Sequence, residues 1–272
     1  MEPVILFRNI PGDTEEEIEI ARKYFRVEHL LTKCKDCLVI PRFSCLPYYK
    51  EFEENLRELG SAPINSWPQH NWIASFSWYE TMVGLTPESW TEHEFPSVEY
   101  GGPFVVKGCT NSKKHRWSTH MFAATKKDAQ SVASKLRNDM HLASQDIIFR
   151  KYVDLKTFEI GINGIRFANE WRFFLFREHI LSYGYYWSGL DDLNLPYIND
   201  KAFTLVQECI ERLGVLSTCN FYVLDIAETK NGDWILIEMN DASMSGLSEN
   251  SPSTLYYNLR YMLEKQTTKS IS

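Results

Sequence analysis

The sequence predicts a mixed α/β protein, and three observations support this fold class. The chain has 272 residues, 44% of them hydrophobic, which is enough for one large domain or two modest ones. Its N-terminal part alternates short apolar segments with segments of helical periodicity, as in a small doubly wound unit. Its C-terminal part contains two apolar strand-like segments joined by a tight Asn-Gly-Asp connection.

Composition argues against several classes of protein. The net charge is −7 and there is no long basic run, which is not typical of a sequence-independent nucleic-acid binder. No run approaches the roughly 18 apolar residues that a membrane span needs. The opening residues lack the pattern of a signal peptide. Six cysteines in a chain of this length do not indicate a disulfide scaffold, and Cys34-Lys-Asp-Cys37 lacks a second motif at zinc spacing.

The first elements follow a β-α-β-α order. Strands are predicted at 4–7 and 38–43, and helices at 14–25 and 47–60. Thr14 and Glu17 form a capping box for the first helix, whereas Gly60 ends the second. Residues 61–103 are rich in Pro, Trp and turn residues and are interpreted as a connecting region with short elements.

A second series of elements begins with the strand FVVKG at 104–108. A polar loop follows, then a helix over 126–142 that Thr125 caps and whose apolar stripe ends at Met140. The remaining elements are a strand in DIIFRKYVDL, a hairpin of NEWRFFLF and ILSYGYYW, a helix at 201–213 and a closing helix at 253–264.

The hairpin FYVLDIAETKNGDWILIEMND is the most informative segment. Glu238 and Asn240 are two residues apart and therefore point to one face of their strand. Asp225 is expected to end the first strand and to lie across from them. Three oxygen donors on one sheet face suit Mg²⁺, which binds one or two carboxylates together with nucleotide phosphates. The alternative is a solvated hairpin whose polar residues face outward.

Candidate phosphate-binding cations lie on two other segments. Lys107 ends an apolar strand before a polar loop whose amides can surround phosphate oxygens, although a surface lysine is the commoner case. The loop adds a basic cluster from Lys113 to Arg116, but no GxxxxGK[ST] motif is present. Arg172 lies within an aromatic strand and shares a face with Glu170. It forms either a structural ion pair or a contact to a ligand anion.

Substrate recognition is expected from residues near the same cleft. Arg8 and Arg42 each follow a predicted N-terminal strand, where ligands of doubly wound sheets gather, although a surface arginine is the commoner case for both. Asp241, Ser243 and Ser245 follow the hairpin in a polar loop and are placed to touch substrate or phosphate.

The order of these features resembles the ATP-grasp superfamily, and within it the phage and bacterial clade named for two arginines and a lysine. The resemblance covers roughly residues 96–264 and is most specific in the hairpin VLDIAE…WILIEMND. It implies an α/β (α+β) ATP-grasp fold with an N-terminal pre-ATP-grasp α/β domain at 1–95. The ATP-grasp domain, 96–264, would comprise a small subdomain at about 104–153 and a large one at 154–264, and 265–272 would form a tail.

The resemblance also implies roles for individual residues. Lys107 would bind ATP phosphates, with Lys113 or Lys151 as a second lysine. Arg172 would steady the γ-phosphate or an acyl phosphate, and Lys107 and Arg172 are the two residues assigned to catalysis. Residues 70–95, where many ATP-grasp enzymes carry that lysine, contain neither Lys nor Arg. The hinge would comprise Arg150, Lys151, Tyr152, Val153 and Asp154, with Asp154 able to reach the ribose. Asp225, Glu238 and Asn240 would hold Mg²⁺.

The implied activity is an ATP- and Mg²⁺-dependent ligase that joins a carboxylate to an amine or thiol through an acyl phosphate. Its partners would be a small-molecule or peptide acid and an amine, with neither a membrane nor nucleic acid, in the cytoplasm or, for a phage protein, the host cytoplasm. Three alternatives stay open: a phosphotransferase on the same fold, a non-catalytic ATP-binding assembly factor, and a ligase for nucleic-acid ends.

Overall fold

The structure is a computed structural model that describes residues 1–8, 15–140, 142, 145–187, 197–214 and 219–269. Thr14 of the predicted capping box lies outside these residues. The strands are β1 (Glu2–Leu6), β2 (Arg26–Glu28), β3 (Cys37–Pro41), β4 (Ala62–Pro63), β5 (Ser89–Thr91), β6 (Phe104–Gly108), β7 (Phe122–Ala123), β8 (Ile147–Lys151), β9 (Thr157–Ile160), β10 (Arg166–Ala168), β11 (Glu170–Phe176), β12 (His179–Tyr185), β13 (Phe221–Glu228) and β14 (Trp234–Asp241). The helices are α1 (Glu15–Ala21), α2 (Tyr49–Glu58), α3 (Trp67–Ala74), α4 (Trp78–Thr81), α5 (Trp117–His120), α6 (Lys126–Arg137), α7 (Asp200–Gly214) and α8 (Pro252–Lys269).

The N-terminal elements form a parallel sheet in the order β2-β1-β3-β4. One face packs against α2 through residues such as Val4 and Leu56. The other face contributes Ile5 and Ile40 to a core shared with α1 and α8. All strands of this sheet point the same way, so the segments that follow β1 and β3 lie at one edge.

A second, antiparallel sheet has the order β5-β8-β6-β7. Helix α6 covers one face through Ala129, Val132 and Leu136, and Phe95 stacks on Phe149 within the same core. Strand β5 belongs to this sheet although it precedes residue 96. The division of the chain at 95/96 stays a prediction.

The third sheet is antiparallel, with the order β12-β11-β13-β14, and it carries the predicted hairpin. Successive side chains of these strands point to opposite faces of the sheet, and both faces are buried. Phe173 and Leu224 pack toward α7, whereas Phe174 and Val223 pack toward α8 and the N-terminal sheet. A separate hairpin of β9 and β10 connects the second sheet to the third.

Three predictions about local structure need correction, the first of which is that α1 ends at Ala21 rather than at residue 25. Helix α6 ends at Arg137 rather than at 142, and Met140 is consequently 90% exposed instead of part of an apolar stripe. Asp225 lies in the middle of β13 rather than at its end, because the strand continues to Glu228. Residues 61–103 contain the short elements α3, α4 and β5, which aromatic packing stabilises despite their weak periodicity. None of the described helices is long and apolar enough to cross a membrane.

Candidate functional site

Two pockets adjoin between the second and third sheets, and both are lined by Ser112 and Glu238. The first is mainly apolar, and its lining includes Val105, Met121, Tyr152, Val153, Leu155, Ile165, Ile235 and Ile237 with the charged residues Lys107, Lys114, Arg150, Lys151, Arg166 and Glu170. The second is polar, and its lining includes Ser44, Leu46, Thr110, Asn111, Arg172, Tyr186, Asn240, Asp241, Met244, Ser245 and Gly246. An apolar slot next to a polar chamber suits a nucleotide base followed by its phosphates.

Lys107 and Glu238 form a buried ion pair at the boundary of the two pockets. Lys107 is placed by β6, and Glu238 comes from β14, so the pair joins the second sheet to the third. Burial lowers the pKa of Lys107, although Glu238 opposes the shift. Burial alone would raise the pKa of Glu238, but Lys107 and Lys114 outweigh it and the pKa lies below its ordinary value. The lowered pKa of Glu238 favours the carboxylate form that accepts from Lys107.

Arg150 lines the first pocket with its side chain, whereas the resemblance implied only a place in the hinge. It is 5% exposed. Its Nε donates to Ser89 Oγ at 3.0 Å and its Nη1 donates to the Ile237 carbonyl. Its Nη2 is buried, and the described residues offer it no hydrogen-bond partner. Burial lowers the pKa of Arg150 to about 10, so it stays cationic at neutral pH. An unpaired buried donor next to a pocket is a natural partner for a ligand anion.

Lys114 is the loop lysine that reaches the first pocket. Its Nζ donates to Glu170 at 2.9 Å and lies 3.7 Å from the centre of the Tyr186 ring. Burial would lower the pKa of Lys114, but Glu170 and Tyr186 raise it above its ordinary value. Burial raises the pKa of Glu170 in spite of Lys114. The loop therefore places an ammonium beside the first pocket, next to an aromatic ring.

The two lysines named from the sequence as second phosphate ligands have other partners. Lys113 Nζ is 2.7 Å from Asp139 Oδ2, and Lys113 lines neither pocket. Lys151 lines the first pocket, but its side chain is 46% exposed, with Nζ 3.8 Å from Glu88 and 5.0 Å from the Tyr100 ring centre. Their assigned role stays a prediction.

Arg172 pairs with Asp225 across neighbouring strands, not with Glu170 on its own strand. Its Nε and Nη2 each donate to an Asp225 oxygen at 2.8 Å, and its Nη1 donates to the Gly246 carbonyl at 2.8 Å. Burial would lower the pKa of Arg172, but Asp225 raises it above its ordinary value. Arg172 also lines the second pocket, and its contact to a ligand anion stays a prediction.

The hinge segment lies along the first pocket. The N–H groups of Lys151 and Tyr152 donate to the carbonyls of Glu88 and Pro103. In the described part of the chain no backbone carbonyl accepts from the N–H of Val153, which lines the first pocket. The Asp154 carboxylate accepts from Tyr152 Oη at 3.0 Å and Arg166 Nη1 at 3.2 Å, beside an adjoining surface groove.

The expected pairing of Asp225 with Glu238 across the hairpin is found, and Asn240 lies two residues further along the same strand. All three side chains offer oxygen donors, and Glu238 and Asn240 line the second pocket, a donor set that suits Mg²⁺. Both carboxylates are neutralised here by Lys107 and Arg172. Nowhere among the described residues do three His, Cys, Asp or Glu side chains form a metal-binding cluster. The metal-binding role of the set stays a prediction.

The two N-terminal arginines have different surroundings. Arg42 is paired with Glu17 at 2.8 Å and donates to the Ala242 carbonyl at 2.5 Å, which attaches the N-terminal sheet to the segment after β14. Arg8 is exposed, with its guanidinium 4.7 Å from the centre of the Phe43 ring. The thiols of Cys34 and Cys37 are buried and free, and burial raises the pKa of Cys34 to about 12, consistent with ordinary thiols.

Sequence reasoning missed several residues of the site, above all Lys114, Tyr186 and Glu170. The basic cluster from Lys113 to Arg116 was visible, but it has no periodicity that tells which side chain points inward. Glu170 was noted only as a neighbour of Arg172. Tyr186 lies just beyond β12, where aromatic residues are too common to be informative.

Three comparisons with known proteins bear on the family. A model of an ATP-grasp domain, family 3 of the clade named for two arginines and a lysine, matches residues 97–259, more than half of the chain. None of the curated proteins matches the sequence. Among solved structures, D-cycloserine synthetase DcsG has a TM-score of 0.59 at 11% identity, covering 96% of this chain and 99% of its own. D-alanine–D-alanine ligase from Bacillus anthracis, complexed with ATP, has a TM-score of 0.59 at 11% identity and covers 100% of both chains.

The ATP-grasp ligase PsnB, complexed with a minimal precursor, gives a TM-score of 0.57 at 12% identity over 95% of this chain and 98% of its own. At these identities the structural similarities establish the fold. The family match, which begins just before β6 and ends within α8, includes Lys107, Arg172 and the β13–β14 hairpin. The chain belongs to the ATP-grasp superfamily, in the clade named for two arginines and a lysine.

Proposed function

We propose that this protein is an ATP-dependent ligase that activates a carboxylate as an acyl phosphate and joins it to an amine or thiol. The observation that carries the proposal is the convergence of three buried cations, Lys107, Arg150 and Arg172, and the partly buried Lys114 on two adjoining pockets that share Glu238. Four cations converging on one cleft in a protein of net charge −7 suit a polyphosphate.

The apolar pocket would hold adenine. The N–H of Val153 offers the base a hydrogen bond, and Val105, Ile235 and Ile237 offer apolar contact to its faces. Arg150 Nη2, Lys107 and Lys114 would then meet the phosphates. Asp154 stays a proposed ribose partner whose carboxylate must turn from Arg166 toward the pocket.

Glu238 and Asn240, with Asp225 beside them, would hold Mg²⁺ between the phosphates and the second pocket. When bound, the ion would neutralise phosphate charge and favour attack at the γ-phosphorus. Binding requires an exchange of partners: Lys107 turns from Glu238 to the phosphates, and Glu238 becomes free to act as a ligand. The triphosphate would therefore replace Glu238 as the partner of Lys107, and Mg²⁺ would replace Lys107 as the partner of Glu238.

The second pocket would hold the acid. A carboxylate oxygen attacks the γ-phosphorus, the bond to the β-phosphate oxygen breaks, and ADP leaves. An amine then attacks the acyl carbon, the amide bond forms, and inorganic phosphate leaves as the amine loses a proton. Arg172 would stabilise the charge that develops on the transferred phosphoryl group, a contribution for which loss of one contact typically costs about 10²–10³-fold in rate.

The proposal is tested by calorimetric titration with a non-hydrolysable ATP analogue, with and without Mg²⁺, followed by a screen of acids and amines that reads ADP. The expected result is metal-dependent binding and ADP release that requires both substrates. Release of ADP with a phosphorylated acceptor and no amine would instead indicate a phosphotransferase. Binding without turnover across the screen would favour an assembly factor, and no binding would reject the proposal.

Lys113 and Lys114 form a matched pair for a test because they are adjacent in the sequence but have different partners. Lys114 contacts Glu170 beside the first pocket, whereas Lys113 contacts Asp139. Lys114→Met should weaken binding of the ATP analogue about 10–100-fold, the value of one charge-assisted hydrogen bond. Lys113→Met removes the same charge from the same loop but should change affinity by less than about threefold. Calorimetry with Mg²⁺ at constant ionic strength measures both.

A control is needed because Lys114→Met leaves the Glu170 carboxylate buried and unpaired. The double variant Lys114→Met/Glu170→Gln removes that charge and should recover much of the lost stability without restoring affinity. Equal effects of Lys113→Met and Lys114→Met on affinity would contradict the assignment.

A further inference from the structure

His70 is a fully buried imidazole that contacts none of the groups assigned above to nucleotide or metal. It lies on α3, and its Nδ1 is 3.0 Å from Oδ2 of Asp241, which is also fully buried. The ring of Tyr49 stacks on the imidazole with 3.8 Å between centroids and 7° between planes. The His70 ring is therefore fixed on one face and at one edge, while its Nε2 finds no hydrogen-bond partner among the described residues.

Asp241 directly follows Asn240 and fixes the conformation of the loop at 240–246. A carboxylate only accepts hydrogen bonds, so His70 Nδ1 is the donor of this pair. The other carboxylate oxygen accepts from the Ser243 N–H at 2.9 Å, and the Asp241 carbonyl accepts from Ser245 Oγ at 2.9 Å. Each oxygen of Asp241 thus has a defined partner.

The same loop lines the second pocket and ends at Gly246, whose carbonyl accepts from Arg172. A shift of Asp241 would move Asn240 at one end of the loop and the Arg172 contact at the other. The loop contains a single short turn after β14, and it is held by these side-chain bonds and by the bond that Arg42 donates to the Ala242 carbonyl.

A second anchor of the hairpin is Asn65, which lies five residues before His70 in the sequence. Asn65 Oδ1 accepts from the N–H groups of Asn220 and Phe221 at 3.1 and 2.9 Å, and its Nδ2 donates to the Phe221 carbonyl at 2.6 Å. Asn65 therefore holds the first residue of β13, and His70 holds the last residue of β14. Both open ends of the hairpin that carries Asp225, Glu238 and Asn240 are fixed by the N-terminal part of the chain.

We propose that His70 is a positioning residue for the metal-binding hairpin, acting through Asp241 on Asn240; this inference rests on the proposed function. Without the imidazole donor, Asp241 would be a buried carboxylate short of one hydrogen bond, and its loop would move to hydrate it. Outer contacts of this kind typically change metal affinity about 10–100-fold when they are removed. The contact proposed between Val153 and the nucleotide would be unaffected, because Val153 lies on another segment.

The test measures Mn²⁺ binding to the ADP complex of the full chain by electron paramagnetic resonance, beside calorimetry of ADP without metal. His70→Phe keeps the ring stacked on Tyr49 but removes the donor. It should lower Mn²⁺ affinity about 10–100-fold and leave metal-free ADP affinity unchanged. His70→Asn places an amide N–H near the position of Nδ1 and should retain Mn²⁺ affinity within about threefold.

The outcomes separate the inference from the proposed function. Wild-type Mn²⁺ affinity in folded His70→Phe would overturn the inference, and so would an equal loss of metal-free ADP affinity, which would indicate a general loosening. Should His70→Phe not fold, His70→Gln, whose amide extends toward the Nε2 position, takes its place with the same expected loss. A wild-type protein that binds ADP but no Mn²⁺ overturns the inference, whereas one that binds neither rejects the proposed function.

Discussion

Glu238→Gln is expected to remove most of the metal dependence of ATP binding and to slow ADP formation about 10²–10³-fold. Under the proposed function, the triphosphate would draw Lys107 away in the wild type, and Glu238 would be an uncompensated buried carboxylate unless it held a metal ion. Nucleotide and metal should therefore each raise the affinity of the other, by a factor of about 5–150 as is typical of coupled sites. With Gln at 238 no charge is left uncompensated, and the factor should fall below about threefold.

The coupling is measured by titrating the ATP analogue at several Mg²⁺ concentrations and comparing the change in affinity between wild type and variant. Glu178→Gln is a suitable control, because that carboxylate lies in the turn between β11 and β12 and its side chain is 64% exposed. A Glu238→Gln protein in which Mg²⁺ still strengthens nucleotide binding as in the wild type would show that Glu238 is not the residue through which the two ligands interact.

Arg172→Met is expected to have the second large effect, on stability as well as on turnover. The pair with Asp225 is buried, with side-chain exposures of 10% and 0%. Breaking a buried pair by removing one partner typically costs about 3–5 kcal/mol, because the remaining charge is left without compensation. Urea denaturation should show this loss in the free energy of unfolding, and ADP formation should fall by about 10²–10³-fold.

The double variant Arg172→Met/Asp225→Leu separates the two effects. Replacing a buried ion pair by apolar residues of similar volume is often neutral or stabilising, so the double variant should regain stability. It should not regain activity, because both the cation and the neighbouring carboxylate of the proposed metal set are missing. Recovery of ADP formation in the double variant would mean that Arg172 is structural only.

The sequence by itself determined the order and type of most elements, and it did so where local patterns are strong. The hairpin of β13 and β14, with Asp225 across from Glu238, could be predicted because period-two alternation and a short Asn-Gly connection leave few alternatives. Lys107, Arg172, Asp225, Glu238 and Asn240 could be selected because charged and amide side chains within apolar strands are uncommon.

Only the tertiary structure decided which charges meet. Arg172 is opposite Asp225 rather than paired along its own strand with Glu170, because β11 lies directly beside β13 in the sheet. Lys114 rather than Lys113 enters the cleft because the loop conformation, which has no sequence period, turns one ammonium inward. His70 reaches Asp241 from 171 residues away. Such contacts depend on how separate sheets pack against each other. A local sequence pattern does not specify which residues meet when they are far apart in the chain.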